Sequence, residues 1–147
     1  MDKLKQVELT IKYTDTEWQQ KKIINSKDAV EICRLFFHED LTIYESFFMV
    51  CCNAANSTIA YMKISQGGTV GTVVDLKIIA KYAIDCLAKS IILCHNHPSG
   101  NTNPSSHDDR LTKSIIEGLK IFDILVLDHI ILTKDSYYSY GDNGKLY

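Results

Sequence analysis

Apolar and polar positions change their period several times along the chain, and each change marks an element. Val7, Leu9, Ile11 and Tyr13 alternate with polar residues, which predicts a half-buried strand. Val30, Cys33 and Phe37 follow at helical spacing, so a helix is expected over 27–38, with Ser26 as its N-cap and Asp28 in its first turn. The segment Glu45–Cys52 is apolar on both faces after its first two residues, the pattern of an interior strand. A polar turn at Asn53–Ser57 and a second apolar run, Thr58–Ile64, complete a hairpin. Gly67, Gly68 and Gly71 then punctuate the chain. The next helix carries an apolar stripe of Leu76, Ile79, Ala80, Ala83, Ile84 and Leu87. Ser90–Cys94 reads as another buried strand. Leu111, Ile115 and Leu119 predict a helix over 105–120, with Gly118 inside it at a cost of about 1 kcal/mol relative to alanine. Two short β-like runs, Ile124–Leu127 and His129–Thr133, precede a last one at Tyr137–Tyr140.

Helices and strands are mixed, and the hairpin argues against a purely parallel sheet. The expected fold is α/β (α+β), a mixed β-sheet flanked by helices, as a single domain over 1–147. A chain of this length buries about 68–70% of its unfolded surface and needs no disulfide or metal to fold. Hydrophobic content of 46% and charged content of 23% exclude disorder and coiled coil as the main description.

Sixteen Lys and Arg against eighteen Asp and Glu leave a net charge of −2, without the clustered basic footprint of a dedicated nucleic-acid binder. Lys3, Lys5, Lys12, Lys21, Lys22 and Lys27 are interspersed with acids and read as a solvated face. The five cysteines form no C-x-x-C, and most lie in apolar segments, where a free thiol acts as a small hydrophobe. The first residues lack the apolar core of a secretory signal, and the longest apolar run, Phe47–Cys52, is too short to span a bilayer. A protein of the reducing cytoplasm is expected, with no membrane partner.

The chemistry concentrates in one loop. Both prolines of the chain, Pro98 and Pro104, lie beside His95 and His97. Two residues apart on an extended chain, the histidines point to one face with Cα atoms about 6.5 Å apart. Both imidazoles can then reach one ion at about 2.0–2.1 Å. Pro98 favours an extended His97, and Gly100 permits the turn that follows. Asp108 lies eleven residues on, at the start of the next helix. Two histidines and a carboxylate, with a fourth position open to water, form a catalytic rather than a structural zinc set. Ser105-x-x-Asp108 reads equally as a capping box, with Asp in place of Glu. His107 and Asp109 flank the proposed ligand, and Ser106-x-x-Asp109 repeats its spacing, but only Ser105 follows a proline. There is no GxGxxG and no Walker A pattern, so a phosphate cradle has little support.

His95-x-His97, seven residues, then Ser105-x-x-Asp108 resembles the signature of JAB/MPN (JAMM) metalloproteases. The fuller string His95-Asn-His-Pro-Ser-Gly100 followed by Pro104-Ser105 is similar to the bacterial RadC-like branch. Ser90-Ile-Ile-Leu-Cys94 and Leu127-Asp-His-Ile130 extend the resemblance, which runs from about Ile24 to Tyr140. It implies a JAB/MPN-like (cytidine-deaminase-like) fold and a zinc metallopeptidase acting on amide or isopeptide bonds of a protein or peptide. It implies one zinc held by His95, His97 and Asp108. Glu45 matches the family's glutamate and becomes the general base for the activated water. Ser105 would help to hold the oxyanion. His129 matches a family position for which a packed, hydrogen-bonded role is expected, and His38 is expected at the surface.

Two departures stand out. Leu76-Lys77 replaces a frequent Arg-Glu pair, and no room is expected for the helix-hairpin-helix region of long members. Alternative readings are a non-catalytic, metal-stabilised interaction module linked to DNA repair, or a metal-dependent nuclease. The literal His-Asn-His is not the HNH nuclease arrangement, and the H-x-E and P-C-x-x-C of zinc deaminases are missing.

Overall fold

Two stretches of the chain bury every residue, and they become the middle of the sheet. In the computed structural model, which describes residues 1–8, 10–68 and 71–147, these are β1 (Ser46–Cys52) and β3 (Ser90–Asn96). They pair antiparallel. β2 (Thr58–Gln66) returns antiparallel on the outer side of β1 as the expected hairpin. β4 (Leu125–Leu132) runs parallel to β3, and β5 (Tyr137–Ser139) is antiparallel to β4. The order is β2-β1-β3-β4-β5, a mixed five-stranded sheet.

Three helices cover it: α1 (Ser26–Arg34), α2 (Leu76–Asp85) and α3 (Ser106–Lys120). Because β1 and β3 are apolar on both faces, the sheet supports two cores. Phe47, Met49, Cys51, Ile91 and Leu93 pack against Ile79 and Ala83 of α2 and Ile115 and Leu119 of α3. Phe48, Val50, Cys52, Ile92 and Cys94 pack on the other face under α1. Each fully buried Ile or Leu contributes about 1.5–3 kcal/mol. All five cysteines are free, and burial pushes the Cys52 thiol up to about 12, as befits a hydrophobe. No helix among the described residues is long and apolar enough to cross a membrane.

The structure corrects several expectations. Val7 and Tyr13 are exposed and belong to no strand, and Leu9 lies outside the described residues. Among the described residues before α1, the β-bridge is that of Lys22 to Ser57, and Trp18 packs its ring on Tyr61 of β2, so the segment meets the sheet without adding a strand over 7–13. The N-cap of α1 is Asn25, not Ser26. The Asn25 side chain accepts from the Asp28 N–H while Asp28 accepts from Asn25, a reciprocal cap. The helix ends at Arg34 rather than at 38, where the N–H groups of Leu35, Phe36 and Phe37 bond three residues back.

The two β-like runs at 124–133 form one strand, β4, with a shift of register: Ile91 opposes Val126, but Ile92 opposes Asp128. The extra residue, Leu127, reverses the alternation that follows. His129 and Ile131 therefore stand level with Leu93 and His95.

Leu87 leaves the predicted stripe of α2. It sits just beyond the helix with φ of 50° and its side chain is exposed, while Ala88 N–H bonds to Ala83 C=O at 2.9 Å. This is the left-handed position that glycine normally fills. Relief of that strain, about 1–2 kcal/mol, exceeds the extra freedom that glycine gives the unfolded chain. Leu87→Gly is therefore expected to stabilise the fold by about 0.5–1 kcal/mol in urea denaturation; a loss of stability would refute this account.

Candidate metal centre

Strand alternation places the side chains at the end of β3. His95 is buried on the face shared by α2 and α3, with its ring stacked on Phe47 of β1 at a centroid distance of 5.7 Å. Phe47 is also its register partner. His97 returns to the same side and is half-buried, its N–H continuing the β3–β4 ladder to Leu132 C=O. Gly100 then turns the chain at φ of 86° and donates to His97 C=O. Asn101 C=O lies 2.7 Å from His97 Nδ1. A carbonyl only accepts, so Nδ1 carries the proton and Nε2 is left facing the site.

The third side chain comes from a helix start. Ser105 Oγ accepts from Asp108 N–H at 3.0 Å, and Asp108 Oδ2 accepts from Ser105 N–H at 2.8 Å, a complete capping box. The same carboxylate faces both histidines, with Oδ1 3.4 Å from His95 Nε2 and Oδ2 3.3 Å from His97 Nε2. The two Nε2 atoms are 3.0 Å apart. Burial raises the Asp108 pKa, but its contacts with His95, His97 and the Ser105 N–H outweigh this and hold it well below the ordinary carboxylate range. For His97, burial lowers the pKa, yet Asp108 and the Asn101 carbonyl bring it above the usual value.

Glu45 stands immediately before β1, and a buried amide positions it. Asn96, between the two histidines, points to the opposite face. Its Oδ1 accepts from Ser46 N–H at 2.8 Å, and its Nδ2 donates to the carbonyls of Leu41 and Tyr44 at 2.7 Å each. On the other side Glu45 C=O accepts from Gly67 N–H. A Cβ at Gly67 would collide with the carbonyl of Gly71, so only glycine fits at that position.

One ligating atom each from Glu45, His95, His97 and Asp108 then falls within 4.8 Å of the others. A cleft of about 540 Å³ opens above them, with Val73, Ser105 and His107 on its walls. A cavity of similar volume beside Trp18, Phe36 and Tyr61 offers one carboxylate, Asp85, and no histidine. Two imidazole nitrogens and carboxylate oxygens, two of the four groups buried and the other two half-buried, converge on one point and form a donor set that fits a divalent cation such as zinc.

The flanking candidates turn elsewhere. Asp109 accepts from Tyr140 O–H at 2.8 Å and pairs with Lys145, while His107 is exposed on the rim. His38 is exposed ahead of a short 3₁₀ turn. His129 is fully buried behind His95 and is not one of the four, and burial lowers its pKa well below the ordinary value. Asn96 and Thr112 take part in the site without having been foreseen. Strand alternation held the signal for Asn96, since a residue between two co-facial histidines must face the other way. Thr112 is one helical turn beyond Asp108.

The family model described as RadC-like JAB domain matches residues 23–145 of this arrangement. The chain belongs to that family. Similar proteins include a UPF0758 protein of Flavobacterium johnsoniae, 41% identical over 124 residues that make up 84% of this chain and 53% of that protein. A UPF0758 protein of Fusobacterium nucleatum is 42% identical, covering 68% of this chain and 43% of its own length. UPF0758 protein YfjY of Escherichia coli is 36% identical, covering 69% and 64% respectively. The chain spans about half the length of the first two.

In this RadC-like JAB domain the Leu76-Lys77 departure has a packing role. A Cβ at Gly118 would come 2.8 Å from Leu76 Cδ2, so glycine in α3 admits an apolar side chain from the start of α2.

The cap is separable from metal chemistry. Ser105→Ala is expected to cost about 0.5–2 kcal/mol in chelator-treated protein, measured by urea denaturation. No change in midpoint there would show that α3 does not depend on its cap.

Proposed function

We propose that this RadC-like JAB domain is a zinc-dependent hydrolase of amide or isopeptide bonds in a peptide or protein substrate. The observation that carries the reading is the convergence of His95, His97, Asp108 and Glu45 within 4.8 Å at the base of an open cleft. His95, His97 and Asp108 hold one zinc per chain. A zinc bound there would supply Lewis-acid polarisation of the scissile carbonyl and a lowered water pKa of about 7.

The side chains supply the rest. Glu45, half-buried at the cleft, accepts a proton from the attacking water on a carboxylate oxygen and returns it to the leaving amine. Capping uses the Ser105 hydroxyl only as an acceptor, so its proton is free to donate to the oxygen that gains charge. Asp108 keeps its negative charge because its contacts hold its pKa low, and it balances the cation. The free thiols suit a reducing cytoplasm.

Elemental analysis of protein purified without chelator is expected to find about one zinc per chain. His97→Ala and Asp108→Ala should lose it, whereas Asp109→Ala, which breaks contacts with Tyr140 and Lys145 away from the site, should keep it. Stoichiometric zinc in the His97 variant, or its loss through the Asp109 change alone, would refute the ligand assignment.

Glu45→Gln distinguishes a base from a ligand. It is expected to retain zinc and the fold while losing about 10²–10⁴-fold in hydrolysis of an isopeptide-linked or peptide substrate. Full activity without the carboxylate would exclude the base role. Loss of zinc would instead make Glu45 a fourth ligand, as in the closed set of a structural site.

A further inference from the structure

Behind the proposed ligand His95 lies a row of hydrogen bonds whose direction can be read from one end. The Thr112 hydroxyl donates to Asp108 C=O at 2.7 Å, because a carbonyl cannot donate. Its one proton is spent there. The contact of 2.6 Å between Thr112 Oγ1 and His129 Nδ1 must therefore be donated by His129, which carries its proton on Nδ1. His129 is fully buried between Phe47 and Tyr140, its ring stacked on Tyr140 at 4.9 Å, an apolar sandwich that disfavours a second proton. Its Nε2 is then a bare acceptor, 2.8 Å from His95 Nδ1. His95 must supply the proton of that bond from Nδ1, which leaves the lone pair on His95 Nε2, the atom that faces His97 and Asp108.

We infer that Thr112 and His129 are positioning residues: they hold His95 in the Nδ1–H form, so that its Nε2 is ready to bind metal before metal arrives. The inference rests on the reading of His95 as a ligand. The row begins on the backbone of Asp108 and ends on the ring of His95, so it ties two proposed ligands together through the interior. On His97 the Asn101 carbonyl likewise fixes a proton at Nδ1. A neutral imidazole with its proton on the wrong nitrogen would have to release both neighbours before binding. Partners of this kind typically alter metal affinity by about 10–100-fold.

The test starts with the chelator-treated wild-type chain, ¹⁵N-labelled at histidine. Long-range ¹H–¹⁵N correlation spectra should show both His95 and His129 protonated at Nδ1 alone; either ring protonated at Nε2 instead overturns the proposal without recourse to any variant. Thr112→Val keeps the shape and removes the hydroxyl. It should mix the tautomers of both rings and weaken zinc binding about 10–100-fold in competition with a chromophoric chelator. Thr112→Ser should restore both readouts. Unchanged tautomers and zinc affinity in the valine variant would overturn the proposal. A wild-type chain with the expected tautomers that takes up no zinc would sustain the proton order and overturn the metal reading.

Discussion

The Asp108 carboxylate is held in place by the backbone of its own helix and, in that position, faces two imidazoles. The capping box sets the start of α3, the start of α3 sets the carboxylate, and the carboxylate draws in the end of β3. A helix N-terminus favours a negative side chain, so the geometry that suits the helix also keeps the group ionised. Local folding preference and site chemistry thus ask for the same residue in the same conformation. Asp109 would suit the helix dipole as well, but it is committed to Tyr140 and Lys145.

Around this point the sheet acts as a rigid ruler. β1 and β3 are buried throughout, so their register is strongly specified: a slip by one residue would send every side chain to the other core. That register sets Phe47 beside His95 and brings Glu45, fifty residues earlier in the chain, to the mouth of the site. Asn96 completes the link by clamping the residues before β1 with three hydrogen bonds. Such a buried amide is costly unless fully satisfied, and here each of its bonds constrains the approach to Glu45. The extra residue at Leu127 performs a comparable task on the other side, turning His129 inward to stand behind His95.

Much of this was legible in the order of residues. The all-apolar runs determined the two central strands, the hairpin excluded a parallel sheet, and helical spacing found the three helices. The pair His95 and His97 and the carboxylate Asp108 were visible because their geometry is local: strand alternation makes the histidines co-facial, and a capping pattern marks the helix start. Asn25 as a cap, the end of α1 and the exposure of Leu87 were less visible, since several polar residues compete for each helix boundary and only packing selects one. The strand expected around Val7 failed for a related reason, because alternation states what a strand could bury and not whether the segment pairs with the sheet.

What only the tertiary structure decided is everything that depends on distance across the sheet. Nothing local relates Glu45 to His95, or Thr112 to His129; their meeting follows from the pairing of β1 with β3 and the packing of α3 on the sheet. The register shift in β4 is similar. Counted residue by residue, alternation from Val126 would put Ile130 and not His129 toward the helices, and only the pairing with β3 shows where one residue is left over. The chain by itself determined the chemistry available and the local direction of each ligand. The fold decided which groups share a site, because contacts between residues far apart in sequence are set by the burial of two cores at once.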